Sequence, residues 1–129
     1  MQFNESYIDL RVQIGSDIRT LLSYISYDSR LVKGTLVVPE GFSTDLGSIP
    51  QVLQSIFPKD GQAMFAYILH DYLYLDGLYS QSVCDDILEE AMKTLGVTWW
   101  RCKAIRNGLR VGGFVAYNKH RRNDEENDF

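Results

Sequence analysis

His70 and Asp71 stand side by side in the run AMFAYILHDYLY, residues 63–74, which is otherwise apolar. A carboxylate in such a run is costly to bury unless a partner neutralises it. On a helix, successive side chains diverge by about 100°. His70 and Asp71 therefore serve different partners; a bound cation for the Asp and a water for the His would use that divergence. The loop Thr44-Asp45-Leu46-Gly47-Ser48 lies upstream, and the pair Asp85-Asp86 lies downstream. Asp71 with Asp45 and one or two backbone carbonyls from Leu46 or Gly47 would make an oxygen cage. Oxygen-only ligation suits Ca²⁺ or Mg²⁺ rather than zinc. His70 is then a general base whose second ring nitrogen is held by a carboxylate of the next helix. Asp85 is the first choice for that carboxylate and Asp86 the reserve. Base, orienting carboxylate and electrophilic metal together form a hydrolytic constellation.

A plainer reading competes with this one. A His and an Asp on core helices also make hydrogen-bonded packing networks with no chemistry. Asp45 or Ser48 can simply cap a short helix over 49–57, with Pro50 in its first turn. His70, Cys84 and Cys102 with an Asp are a conceivable zinc set, but their spacing is not that of a zinc motif. A His-Asp phosphohydrolase needs more histidines, and only His120, in the charged tail, remains.

The elements that position these residues follow from pattern. Ile8, Leu10, Val12 and Ile14 alternate with polar neighbours, the period of a half-buried strand. Residues 21–27 (LLSYISY) and 35–38 (TLVV) also read as strands, with turn chemistry at 15–17, 28–29 and 33–34. Phe42 is the expected core anchor of the loop that follows. Three helices come next, over 61–75, over 80–95 ending at Gly96, and from a Thr98 N-cap to about residue 117. In the third, Trp100, Ala104, Ile105, Gly108, Leu109, Val111 and Gly112 form the expected apolar face. Lys103, Arg106 and Arg110 then form a basic stripe beside Trp99. That stripe is read as solvated, the sharper alternative being contact with lipid phosphates or an acidic partner. The predicted fold is α+β: a small N-terminal antiparallel sheet, then three main helices. One domain spans 1–117, and 118–129 is a charged tail.

Composition bounds the function. The chain has 129 residues, 45% hydrophobic and 23% charged, with a net charge of −4. An acidic balance argues against nucleic-acid binding. Two cysteines are too few for a disulfide framework and fit a reducing compartment. The N-terminus has neither the basic nor the apolar region of a secretory signal. No apolar run reaches the roughly 18 residues of a transmembrane span.

The motifs VPEGFSTDLGSIP (38–50), HDYLY (70–74) and CDDILEEAM (84–92) closely resemble a domain-of-unknown-function family of small phage and prophage proteins. The likeness spans about 21–114. Cys84 stands where that family usually has alanine, and Gln81 where it often has arginine. The resemblance implies a phage or prophage origin and no settled activity.

A weaker resemblance is to prokaryotic phospholipase A2. Those enzymes also have an Asp-bearing loop, a His-Asp helix with a tyrosine three residues past the Asp, and a later helix opening on paired Asp. Arg110, Gly112 and Gly113 match the end of their last helix. By position, this resemblance implies Ca²⁺ bound by Asp45, Asp71 and the Leu46 carbonyl, His70 activating water, and Asp85 orienting His70. The calcium would also polarise the ester carbonyl and the phosphate. The chain departs from that pattern in lacking evident disulfides and a signal peptide. It also has an added N-terminal sheet and a short spacing between His70-Asp71 and Asp85. Two functions are therefore carried forward. One is a calcium-dependent lipid ester hydrolase acting on phospholipid. The other is a non-enzymatic virion component or host-directed binding protein, in which the His/Asp motif only holds helices together.

Overall fold

The computed structural model describes residues 2–4, 7–45 and 63–109. Six short strands precede the helices: β1 (Gln2–Phe3), β2 (Leu10–Val12), β3 (Arg19–Leu21), β4 (Ile25–Asp28), β5 (Thr35–Val38) and β6 (Ser43–Thr44). They form two antiparallel three-stranded sheets, ordered β1-β4-β5 and β2-β3-β6. The helices are α1 (Met64–Asp76), α2 (Gln81–Thr94) and α3 over 99–109. This is the expected α+β arrangement, with the sheet divided in two.

The first sheet is the platform. Ile25 pairs with Val38 and Tyr27 with Leu36, and all four side chains are buried on one face. The alternation of TLVV thus places Leu36 and Val38 inward and Thr35 and Val37 outward. The Phe3 ring lies 4.6 Å from Tyr27 and 5.1 Å from Phe65, joining β1 and β4 to α1. The Tyr27 hydroxyl donates to Glu90 Oε1 at 2.8 Å, joining β4 to α2.

The run 21–27 is not one strand. Leu21 ends β3 in the second sheet, and Ile25 opens β4 in the first. Backbone bonds Leu21 N–H to Phe42 O and Leu22 N–H to Asp9 O hold the break. The alternation over 8–14 yields only the three-residue β2. Val12 is 61% exposed and Ile14 fully exposed, so the predicted half-buried strand is corrected there. Its period is right at the start, where Ile8 and Leu10 pack partly buried against the core, but Val12 and Ile14 run past that cover.

α1 is buried around most of its circumference, from Met64 and Ala66–Asp71 to Leu73 and Tyr74, as its near-continuous apolar sequence requires. It stops at Asp76, because Gly77 takes a left-handed φ of 72° and its N–H returns to Leu73 O. Ser80 caps α2, its hydroxyl accepting from Val83 N–H. Gly96, at φ 87°, closes α2 with two backbone bonds, Gly96 N–H to Lys93 O and Val97 N–H to Met92 O. That pair is a Schellman ending. Only residues 77–80 separate α1 from α2, so the two pack as antiparallel neighbours.

α3 sits rotated from its predicted phase. Cys102, Ile105, Arg106 and Leu109 face inward, while Trp100, at 52% exposure, and Ala104 face outward. Arg106 is therefore not part of a solvated stripe, although Trp99 and Lys103 are exposed as expected. Arg110, Val111, Gly112, Gly113, the tail with His120, and the helix expected over 49–57 lie outside the described residues. So do Leu46, Gly47, Ser48 and the predicted ends of α1 at 61 and α3 at 117.

Candidate active site

α1 delivers His70 and, one turn later, Tyr74; their rings lie 4.1 Å apart. Both side chains reach the same carboxylate oxygen on α2. His70 Nε2 lies 2.8 Å from Asp85 Oδ1, and the Tyr74 hydroxyl donates to that oxygen at 2.8 Å. The other oxygen, Oδ2, accepts from Gln81 Nε2 at 3.1 Å, one turn earlier on α2. An Arg106 guanidinium nitrogen from α3 lies 3.6 Å from Oδ2. His70 and Asp85 have no exposure to solvent.

The tautomer follows from the partners. An ionised carboxylate only accepts hydrogen bonds, whereas hydroxyl, amide and guanidinium groups donate here. With Arg106 beside it, Asp85 is the anion of the cluster and His70 Nε2–H is a further donor. The ring's proton-accepting nitrogen is then Nδ1. Burial, and then the Asp85 charge, push the Tyr74 phenol far above its ordinary range, so it stays a neutral donor.

Asp71 diverges from His70, as the helical angle requires. Its Oδ2 accepts from the Thr44 hydroxyl at the end of β6. That bond brings the residue before Asp45 against Asp71. Asp45 itself is exposed, and Asp71 is buried at 5% exposure. The Phe42 ring meets Tyr72 edge-on at 5.2 Å, which ties the start of this loop to α1 as expected. Of the predicted residues, His70 and Asp85 thus meet directly. Asp71 and Asp45 sit at the same strand end, and Leu46 lies outside the described residues.

Asp86 is not the partner of His70. It is half-exposed and accepts from Arg106 Nε at 3.0 Å and from a second guanidinium nitrogen at 2.9 Å. Cys84 and Cys102 are buried cysteines whose sulfurs are directed at backbone carbonyls, Tyr79 O at 3.8 Å and Val97 O at 3.5 Å. Among the described residues no group of three or more His, Cys, Asp or Glu is arranged to hold a metal.

Sequence reasoning assigned no role here to Tyr74, Gln81 or Arg106. The first two carried a signal, being four residues from His70 and Asp85 respectively, the spacing that stacks helix side chains. Arg106 carried none beyond the need of a buried anion for a cation.

The site is thus a buried His–Asp–Tyr network at the junction of three helices in a small α+β domain. The model of the DUF1353 family, described as a protein of unknown function, matches residues 19–106. The chain belongs to that family, and the match takes in Asp45, His70, Asp71, Asp85 and Arg106. No curated protein and no solved structure matches the chain. No helix among the described residues is long and apolar enough to cross a membrane.

Proposed function

We propose that the protein is a lipid ester hydrolase of phospholipase A2 type, encoded by a phage or prophage. The observation that carries this reading is the shared oxygen: Asp85 Oδ1 receives both His70 Nε2 and the Tyr74 hydroxyl, each at 2.8 Å. That arrangement fixes the imidazole with Nδ1 as the proton acceptor. In the reaction, water attacks the ester carbonyl carbon as His70 Nδ1 takes its proton. The buried Asp85 carboxylate stabilises the imidazolium that forms. The tetrahedral intermediate then collapses, the carbonyl-carbon to alkoxy-oxygen bond breaks, and the imidazolium returns the proton to the leaving alcohol. Because His70 has no exposure, this chemistry belongs to an opened form in which water and substrate reach the ring.

Asp71 and Asp45, with the hydroxyl of Thr44, the residue before Asp45, bonded to Asp71, supply hard oxygen donors of the kind calcium takes. The Leu46 carbonyl is the further ligand the phospholipase resemblance implies. When bound, calcium would supply positive charge to the ester carbonyl and the phosphate. The test is fatty-acid release from phosphatidylglycerol vesicles in calcium buffer, with His70→Ala as the comparison. Release by the wild type and its loss in the variant is the expected outcome. Equal release by both ends the proposal.

The sealed position of His70 favours a second reading, a non-enzymatic virion component or host-directed binding protein in which the network only joins helices. On that reading His70→Ala and Asp85→Asn lower the melting temperature and leave partner binding intact.

A further inference from the structure

We infer that Arg106 is a positioning residue that fixes the Asp85 carboxylate so that one oxygen is reserved for His70 and Tyr74. Asp85 has two sides. Oδ1 faces the pair from α1, and Oδ2 faces Gln81 and Arg106. The terminal torsion of an Asp side chain is broad and nearly two-fold, so the carboxylate needs contacts on both oxygens to hold one setting.

Arg106 supplies the far side of the clamp and is itself held. Two of its nitrogens grip Asp86 Oδ1, at 3.0 and 2.9 Å, while a third lies 3.6 Å from Asp85 Oδ2. Its side chain is 8% exposed. A guanidinium presents its donors in a rigid plane, so fixing it on Asp86 also fixes the nitrogen that faces Asp85. Gln81 adds a second link to α3, its amide nitrogen lying 3.4 Å from Leu109 O. The seat of α3 is thereby coupled to the aim of His70. The hydrolytic reading is needed only for the kinetic consequence; the positioning itself is a property of the ring and its carboxylate.

The experiment follows the His70 Nε2 proton by NMR in wild type, Arg106→Gln, Arg106→Lys and Asp86→Asn, assigning it by its loss in His70→Ala. The wild type is expected to show a downfield, slowly exchanging proton from the bond to Asp85. Arg106→Gln is expected to broaden or abolish that signal, and Arg106→Lys to restore part of it. Asp86→Asn, a milder change at a half-exposed position, is expected to weaken it while the domain stays folded. On phosphatidylglycerol vesicles, kcat is expected to fall on the order of ten- to a hundred-fold in Arg106→Gln, with KM unchanged. A sharp, unshifted proton in folded Arg106→Gln, or in Asp86→Asn if Arg106→Gln does not fold, overturns the positioning role. Loss of the proton signal on mutation, with no hydrolysis by the wild type, leaves that role standing and removes the enzymatic reading instead.

Discussion

His70, Asp85 and Arg106 are polar side chains sealed at the junction of α1, α2 and α3, whereas Val12 and Ile14 are aliphatic side chains standing in solvent at the end of β2 and just past it. At the junction each polar group meets a donor or acceptor, and burial strengthens those contacts because water no longer competes. In the β2-β3-β6 sheet, three strands of two or three residues bury Leu21 and Thr44 but leave the far end of β2 in solvent. The same amino-acid alphabet is therefore used against its usual preference in both places. At the junction that choice is constrained by many partners. In the outer sheet it is constrained by few, so the two regions respond differently to substitution.

The largest effect is expected at Asp85. Asp85→Ala leaves His70, Tyr74, Gln81 and Arg106 without their shared acceptor. Removing one member of a buried ionic network costs about 3–5 kcal/mol, which urea unfolding measures. A loss below 1 kcal/mol, on the order of a surface change, would break the contrast at its stronger end. Tyr74→Phe removes one hydrogen bond to a charged group and is expected to cost about 1.5–3 kcal/mol.

Calcium sharpens the comparison at the strand end that touches the junction. If Asp71 and Asp45 bind it, melting of the wild type shifts upward with calcium and that of Asp71→Asn does not, since a ligand specific to the folded state stabilises by mass action. Alkali distinguishes burial from exposure. Burial raises the Tyr74 and Tyr27 phenols far above their ordinary range and pushes Tyr67 up to about 12. The unfolded chain loses those protons near pH 10, roughly the ordinary tyrosine value, and the folded chain keeps them. Stability is then full below about pH 10 and declines as pH rises above that, through about 12 and beyond, a sign set by the extra protons the folded state holds. A flat alkaline profile would contradict it. Ile14→Ser, at the other end of the scale, is expected to change stability by no more than about 0.5 kcal/mol.

What could be read from residue order follows the same division. HDYLY within an apolar run marks a buried helix, and the divergence of adjacent helical side chains separates the roles of His70 and Asp71. Gly96 marks the end of α2, and TLVV reads directly as β5. These are local signals, each contained within a turn or a strand. The alternation over 8–14 is equally local but says nothing about whether a layer covers it. The split of 21–27 depends on Phe42 and Asp9, which are distant in sequence. The periodicity of α3 puts Arg106 on the outer face, because Trp100 and Ala104 look more apolar. The burial of Cys102, Ile105 and Leu109 and the Asp85 and Asp86 carboxylates on α2 turn the helix the other way, and a single periodicity does not contain those partners.

Fatty-acid release from phosphatidylglycerol vesicles, comparing wild type with His70→Gln in calcium buffer, tests the central claim most directly. The account predicts release by the wild type and, in a variant that circular dichroism shows to be folded, release at the background rate. Wild-type release no faster than that of His70→Gln would contradict it, leaving the His70–Asp85–Tyr74 network as a device for joining helices.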